Sequence, residues 1–149
     1  MYTVKRTNSE DIHFQNLVKL LDADLAIRDG EDHSFYAQYN KIDAIKHVVL
    51  LFENENAIGC GAIKFFDDET MEVKRMFVLP ENRGKGAAGF VLKELEKWTK
   101  ELRFKKCVLE TGKKQPEAIA LYRKHFYQQI DNYGQYKEVK DSLCFEKIL

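Results

Sequence analysis

The chain has 149 residues, of which 44% are hydrophobic and 32% charged, a composition typical of one folded domain rather than a disordered segment. Basic residues and acidic residues both number 24, so no overall charge favours nucleic acid or an anionic membrane as a partner. The three cysteines (Cys60, Cys107 and Cys144) lie in strand-like segments, which predicts buried thiols in a reducing compartment. The four histidines show no ligand spacing, so we expect no metal.

The sequence also lacks the signals of secretion and of membrane insertion. Its first residues contain no signal-peptide-like apolar stretch, and no apolar run approaches the length of a membrane span. We therefore expect a cytoplasmic protein without membrane or nucleic-acid partners; a homodimer is compatible with the sequence. Because no repeat, linker or low-complexity segment interrupts the chain, residues 1–149 are predicted to form a single domain.

The first third of the sequence predicts a strand followed by two helices. Residues 2–6 have the pattern of a short strand. Asn8 or Ser9 can cap the next helix, with the two acidic residues that follow in its first turn. Apolar residues at helical spacing continue that helix. A second, shorter helix is expected within residues 34–45.

The remainder of the sequence alternates strands with two further helices. The predicted strands are residues 48–53, 57–66, 70–79, 106–110, 127–130 and 143–148. One helix follows a basic turn after residue 79, and the other begins at Pro116, whose fixed φ suits the first helical position. The order β-αα-βββ-α-β-α-ββ predicts an α/β (α+β) fold: a mixed, mostly antiparallel central sheet flanked by helices.

The basic turn carries the strongest functional signal. It reads Pro80-Glu81-Asn82-Arg83-Gly84-Lys85-Gly86-Ala87-Ala88 between a hydrophobic strand and a long amphipathic helix. Glycine allows positive φ and a close approach of the backbone to a ligand. The unpaired N–H groups of the helix start favour an anion, and the basic side chains add charge. We predict a pyrophosphate site formed by Arg83, Gly84, Lys85, Gly86, Ala87 and Ala88.

Two other phosphate-binding motifs were compared with this turn. The P-loop pattern is absent, because Gly86 is followed by alanines instead of Lys-Ser or Lys-Thr. Gly84, Gly86 and Gly89 match the dinucleotide fingerprint, and Glu110 lies about twenty residues further on. A dinucleotide-binding domain, with a parallel sheet and NAD as ligand, therefore stays open as a rival.

The turn most closely resembles the acyl-CoA signature of the GNAT superfamily of N-acyltransferases, Arg/Gln-x-x-Gly-x-Gly/Ala. Arg83, Gly86 and Ala88 occupy its three defining positions. The predicted order of elements resembles the GNAT fold along nearly the full chain. The resemblance implies that acetyl-CoA is the acyl-donating cosubstrate and that its pyrophosphate lies in the turn.

A second resemblance to the same superfamily lies in the helix that begins at Pro116. Gln115, Ala118, Leu121 and Tyr122 have the spacing found in many members. The resemblance implies that Gln115 contacts the pantetheine arm and that the Tyr122 hydroxyl lies near the sulfur. A tyrosine keeps its proton at neutral pH, so it can stabilise a departing thiolate. The alternative for Tyr122 is a core aromatic on an amphipathic helix.

The strand that enters the turn supplies the remaining predicted site residues. In the family a carboxylate on this strand, or a water that it holds, often removes the amine proton, which points to Glu72; the alternative is a strand-end ion pair with Lys74. By period two, Glu72, Lys74, Met76 and Val78 share one face. A bulge is expected near Met76, Phe77 and Val78, whose free backbone groups would pair with the pantetheine amides.

These features together predict an acetyl-CoA-dependent N-acetyltransferase that transfers the acetyl group directly to a primary amine of a small molecule or amino acid. Cys60 and Cys107 have no neighbouring histidine, so neither is expected to carry the acyl group. The resemblance implies that two segments wall the acceptor site, with polar residues Asp22, Asp24, Arg28, Asp29, Tyr36, Tyr39, Asn40, Tyr133, Gln135 and Tyr136. A non-catalytic acyl-CoA sensor and a protein or peptide N-acetyltransferase stay open as alternatives.

Overall fold

The chain folds around one seven-stranded sheet. The computed structural model describes residues 1–30 and 45–149. The strands are β1 (Tyr2–Thr7), β2 (His47–Glu53), β3 (Asn56–Asp67), β4 (Thr70–Val78), β5 (Lys106–Gly112), β6 (Gln128–Ile130) and β7 (Ser142–Ile148). The helices are α1 (Ile12–Asp29), α2 (Ala87–Glu101) and α3 (Pro116–Lys124). The helix predicted within residues 34–45 lies, apart from Ile45, outside the described residues.

The strands lie in the order β1-β2-β3-β4-β5-β7-β6. Every neighbouring pair is antiparallel except β4 and β5, which are parallel. The mostly antiparallel sheet flanked by helices confirms the predicted fold class. It also lacks the parallel sheet that the rival dinucleotide-binding domain requires.

Helices cover both faces of the sheet. On one face α2 buries Val91, Leu92 and Leu95, and Tyr122 of α3 joins the same cluster. On the opposite face α1 packs its apolar stripe of Phe14, Leu17, Val18 and Leu21 against β2, β3 and β4. We call these the α2 face and the α1 face of the sheet.

The start of α1 differs from the prediction. Asp11 is the N-cap, and its side chain accepts a hydrogen bond from the His13 N–H at 2.9 Å. Asn8 instead accepts from the Glu10 N–H at 2.9 Å, which is the local turn that asparagine favours. The predicted cap at Asn8 or Ser9 was therefore wrong, and no acidic residue lies in the first turn of α1.

A bulge in β4 changes the predicted faces of that strand. Cys60 pairs with Phe77 and Ala62 pairs with Lys74, so two residues of β4 stand opposite Gly61. Arg75, the first of the two, has φ of 59°. The extra residue reverses the alternation of side chains, as bulges do.

The residues before the bulge and those after it therefore do not follow one pattern of alternation, and the predicted shared face is divided between the two sides of the sheet. Met76 and Val78 contact the cluster on the α2 face together with Val73, whereas Phe77 packs with α1. The prediction that Glu72, Lys74, Met76 and Val78 share one face was wrong. The bulge itself was predicted, although it lies at Arg75 and Met76 rather than at residues 76–78.

Gly61 makes room for the side chain that the bulge redirects. A Cβ at this position would lie 2.6 Å from Met76 Sδ, 2.8 Å from Val91 Cγ1 and 2.9 Å from Leu95 Cδ1. Real Cβ atoms do not approach other atoms so closely, so only glycine fits here without displacement of α2 or Met76. The packing of α2 on β3 therefore depends on the missing side chain.

We predict that Gly61→Ala lowers the free energy of unfolding by about 1–3 kcal/mol, the usual cost of overpacking. Urea denaturation measures this change. Gly112→Ala is the matched control in β5, because the added Cβ would meet its neighbours at 3.6 Å or more. Equal stability of the two variants would show that α2 yields freely at Gly61.

Candidate functional site

A cleft opens where β4 and β5 separate. The two strands pair at Thr70↔Lys106, Met71↔Cys107 and Glu72↔Val108, and within the described part of the chain no further pair follows. Beyond that point a cavity of about 500 Å³ is walled by α1, the end of β4, the glycine turn with the start of α2, the end of β5, and α3. Where the strands have separated, the inner edges of both have no partner strand among the described residues. An extended ligand can pair with an exposed edge of this kind.

The cleft brings together most of the predicted site residues. Its lining includes Met76, Phe77, Val78, Arg83, Gly84, Gly86, Ala87, Ala88, Gln115 and Tyr122. Two predicted residues, Glu72 and Lys85, are not part of that lining. The cleft therefore contains every predicted cosubstrate-binding residue except Lys85, and it does not contain the predicted base.

The glycine turn has the backbone that its sequence predicts. Gly84 and Gly86 have φ of 77° and 82°, and Gly86 is the N-cap of α2. A Cβ at either glycine would lie in open space, with nothing within 4 Å. The N–H groups of the first turn of α2 have no partner within the helix and are available to an anion. The open space above the two glycines therefore fits a phosphate group.

Arg83 connects the turn to β4. Its Nε donates to the Val78 carbonyl at 2.9 Å, and its guanidinium lies 5.4 Å from the centre of the Phe77 ring. These contacts fix the exit of the strand before any ligand binds. The Val78 carbonyl already has a donor, so the pantetheine pairing predicted for Val78 would fall to its N–H group.

Tyr122 lies on the inner side of α3, which begins at Pro116 with Gln115 as its N-cap. Its ring packs 5.8 Å from that of Tyr127 and 6.3 Å from that of Phe145, and only 6% of the residue is exposed. Burial raises the pKa of Tyr122 well above its usual value, and the negative charge of Glu110 adds to the effect. The phenol therefore keeps its proton at physiological pH and is able to donate that proton or a hydrogen bond.

Glu72 is held in a polar network on the α1 face. Its Oε2 accepts a hydrogen bond from the Tyr133 hydroxyl at 2.7 Å, and its Oε1 lies 4.0 Å from Lys74 Nζ. Burial lowers the pKa of Lys74, and the charge of Glu72 opposes that shift. Glu72 thus has the predicted lysine partner and is only 8% exposed, and its role as the base stays a prediction.

Glu110 also belongs to the cleft, although the sequence did not predict it as a site residue. Glu110 lies in β5, two residues beyond the last pair with β4, and contributes to the lining. The Ser142 hydroxyl donates to its Oε2 at 2.7 Å. The available signal was the carboxylate at residue 110, which lies between the apolar run 107–109 and Thr111. Charged residues are seldom found in buried strands unless they are paired.

One end of the cleft is bounded by α1. Leu21, Asp24 and Leu25 reach the lining from this helix. Arg28 pairs with Asp24 at 3.2 Å and with Glu117 of α3, so an ion pair joins the two helices across the cleft. Of the polar residues predicted to wall the acceptor site, Tyr36, Tyr39 and Asn40 and the side chain of Asp29 lie outside the described part of the chain.

The three cysteines are free thiols, and all three are buried. Burial raises the pKa of Cys60 to about 12 and that of Cys107 and Cys144 to about 11. Since the thiolate is the nucleophilic form, these thiols are unsuited to carrying an acyl group.

Within residues 1–30 and 45–149, no three metal-ligating side chains gather at one place. None of the helices in that part of the chain has the length and apolarity needed to span a bilayer.

The glycine turn at a helix N-terminus, the parted strands and the buried tyrosine define the class of acyl-CoA-binding acyltransferase folds. The family model "Acetyltransferase (GNAT) family" matches residues 14–126, and the chain belongs to this family. The predicted superfamily is thereby confirmed.

The chain is similar to several proteins described as acetyltransferases. It is 38% identical over 93 residues to the IAA acetyltransferase of Azospirillum brasilense; the match covers 62% of this chain and 61% of that protein. A presumed acyl-CoA N-acyltransferase from Klebsiella pneumoniae has a TM-score of 0.84 at 27% identity, covering 100% of this chain and 98% of its own. The PaiA N-acetyltransferase of Thermoplasma acidophilum, solved with coenzyme A, has a TM-score of 0.74 at 17% identity, covering 100% and 99%.

We predict that Gly86→Glu weakens acetyl-CoA binding by about 100-fold or more, as expected from the loss of two charge-assisted hydrogen bonds. The new carboxylate would occupy the open space and repel a phosphate. Calorimetry with acetyl-CoA measures the affinity.

Gly134→Glu is the matched control for this substitution. Gly134 also has positive φ, 54°, with open space around its Cβ, and it does not line the cleft. The backbone strain of the two variants is therefore similar. Equal acetyl-CoA affinity of both folded variants would remove the pyrophosphate site from this turn.

Proposed function

We propose that the protein is an acetyl-CoA-dependent N-acetyltransferase that transfers the acetyl group directly to a primary amine of a small molecule or amino acid. One observation carries the proposal: the cleft between β4 and β5 runs from the glycine turn at the N-terminus of α2 to the buried Tyr122. Family membership supports it, and so does the likeness to a fold solved with coenzyme A.

The residues that would hold acetyl-CoA lie along this cleft. Backbone N–H groups at Gly84–Ala88 would bind the pyrophosphate, with added charge from Lys85 at the exposed side of the turn. The inner edge of β4 at Met76–Val78 would pair with the pantetheine amides, because β5 has already diverged. Gln115, at the start of α3, would contact the same arm. Acetyl-CoA would supply the thioester, the acetyl group's activated form.

Tyr122 would stabilise the departing sulfur by donating from its hydroxyl group. Its hydroxyl keeps its proton because the residue is buried and Glu110 lies nearby. A donor at this place stabilises the negative charge that develops on sulfur as the carbon–sulfur bond breaks. Direct transfer is favoured over an acyl-enzyme intermediate, since the three thiols are buried and protonated.

The attacking amine needs a proton acceptor, because a free alkylammonium has a pKa of about 10.4. The sequence predicts Glu72 for this role, and that role stays a prediction. Glu72 is hydrogen-bonded to Tyr133 and lies at the closed end of the parted strands, outside the cleft lining.

The reaction is tested by the release of free thiol from acetyl-CoA over a panel of primary amines and amino acids. The proposal expects amine-dependent thiol release that Gly86→Glu abolishes. Binding of acetyl-CoA without turnover on any amine or on peptide N-termini would instead indicate a sensor. Turnover on peptides alone would indicate a protein or peptide N-acetyltransferase. A cytoplasmic location and a homodimer stay predictions beside this reaction.

We predict that Tyr122→Phe lowers the single-turnover rate by about 10- to 10⁴-fold, the range for a lost general acid, while acetyl-CoA affinity changes little. Phenylalanine preserves the ring packing and removes only the donor. Rapid-quench measurement of acetyl transfer gives the rate.

Tyr127→Phe is the control for loss of a buried phenol. Tyr127 packs against Tyr122 in the same cluster but does not line the cleft, so its removal should leave the transfer rate at the wild-type level. A Tyr122→Phe variant as fast as Tyr127→Phe would assign Tyr122 to the core alone.

A further inference from the structure

We infer that Glu110 is the catalytic carboxylate that takes the proton of the acceptor amine, and that Glu72 is a positioning residue acting through Lys74. The inference rests on the proposed function and deepens it.

The register of β4 and β5 separates the two carboxylates. Glu72 belongs to the last pair, Glu72↔Val108, and so lies at the closed end of the cleft. Glu110 is two residues further along β5, where the strands have parted, and it lines the cavity. Strand residues rise about 3.3 Å each, so Glu110 stands roughly 6–7 Å further into the opening. A thioester placed in the cleft would meet Glu110 first.

Glu110 also lies near the predicted acid. Its charge contributes to the raised pKa of Tyr122, which places the two groups within electrostatic reach across the cleft. A protonated phenol and a carboxylate that face one cavity can act as an acid–base pair. Glu72 does not contribute to the shift of Tyr122.

The surroundings of Glu110 hold its carboxylate in place. Ser142 of β7 donates to Oε2 at 2.7 Å, and β7 pairs with β5 along its whole length, including Glu110↔Cys144. Among the described residues, the titratable groups that interact electrostatically with Glu110 include Lys74 from β4, Tyr122 from α3, Tyr136 from the turn before β7, and Cys144 from β7. Glu72 acts on Lys74, Tyr136 and Cys144 as well.

Lys74 links the two glutamates. Burial lowers its pKa, and the negative charges of Glu72 and Glu110 both oppose that shift, so its ammonium group interacts electrostatically with both glutamates. Glu72 Oε1 lies 4.0 Å from Lys74 Nζ, and the Tyr133 hydroxyl donates a hydrogen bond to Glu72 Oε2 at 2.7 Å. This chain of contacts assigns Glu72 to the support of the charged cluster rather than to contact with the amine.

Every bond and proton in the acetyl transfer can be accounted for with these residues, the two substrates and water. The ammonium of the acceptor loses one proton to Glu110, and its nitrogen then bonds to the acyl carbon. The carbon–sulfur bond breaks, its electron pair stays on sulfur, and the sulfur takes the proton of Tyr122. The second proton of the nitrogen returns to the Tyr122 oxygen, and Glu110 passes its proton to water. The products are the amide and the free thiol of coenzyme A.

We predict that Glu110→Gln lowers kcat/KM for the amine by about 10²–10⁴-fold at pH 7, the usual contribution of a general base. Its rate should then rise about tenfold per pH unit toward the pKa of the free amine, because only the amine's own ionisation supplies the neutral nucleophile. The measurement is a pH–rate profile with one amine identified by the thiol-release panel. Calorimetry should show unchanged acetyl-CoA affinity.

Three companion variants make this test specific. Glu72→Gln should slow the reaction by about tenfold at most while its profile stays parallel to that of the wild type. Glu110→Asp should recover part of the rate, since it restores a carboxylate. Glu146→Gln removes a strand carboxylate outside the cleft, paired with Lys106 at 3.2 Å, and should match the wild type.

The outcomes separate the inference from the proposed function. Amine-dependent turnover in the wild type with an unaltered Glu110→Gln profile overturns the inference and leaves the function standing. If the rate of Glu72→Gln, and not that of Glu110→Gln, is low at pH 7 and rises toward the pKa of the free amine, Glu72 is the base. No thiol release by the wild type with any amine overturns the proposed function, and the role of Glu110 falls with it.

Discussion

The parting of β4 and β5 after Glu72↔Val108 is the constraint on which the site depends. Two parallel strands that stayed paired to their ends would close the sheet and leave no inner edge for a ligand. The separation is held from outside the cleft: β5 is tied to β7 over its full length, and β4 is tied to β3. Because β4 stays paired with β3 and β5 stays paired with β7, the two strands can separate without disrupting the hydrophobic core on either face of the sheet.

The bulge in β4 adapts one strand to two tasks. Before it, Glu72 and Lys74 belong to the polar cluster on the α1 face; after it, Met76 and Val78 pack beneath α2. Arg75 accommodates the reversal with its positive φ, and its Nη2 is paired with Asp22 of α1 at 2.5 Å. Gly61 on β3 leaves the space that Met76 fills. The polar network and the hydrophobic support of the turn are therefore set by one inserted residue.

Much of this arrangement could be predicted from the sequence, because its signals are local. Turn residues and apolar periodicity gave the strands and helices, and the glycines with Arg83 gave the turn before α2. The bulge reversed the predicted faces because a shift of register by one residue leaves the composition of a strand unchanged. Asn8 and Asp11 are both good caps, so the choice between them depended on a local turn that the pattern does not show. Glu110 was missed because its place in the cleft depends on where β4 leaves β5, which is a long-range property.

The buried cysteines also have a practical consequence for enzymology. Reagents that titrate thiols by disulfide exchange react with the thiolate, and access to the sulfur limits them further. The folded chain, whose three thiols are buried and protonated near neutral pH, should contribute almost no background, so each equivalent of colour reports coenzyme A. Unfolding would add three reactive thiols per chain to the same signal. One reagent can thus count product while the protein is native and reveal its denaturation when it is not.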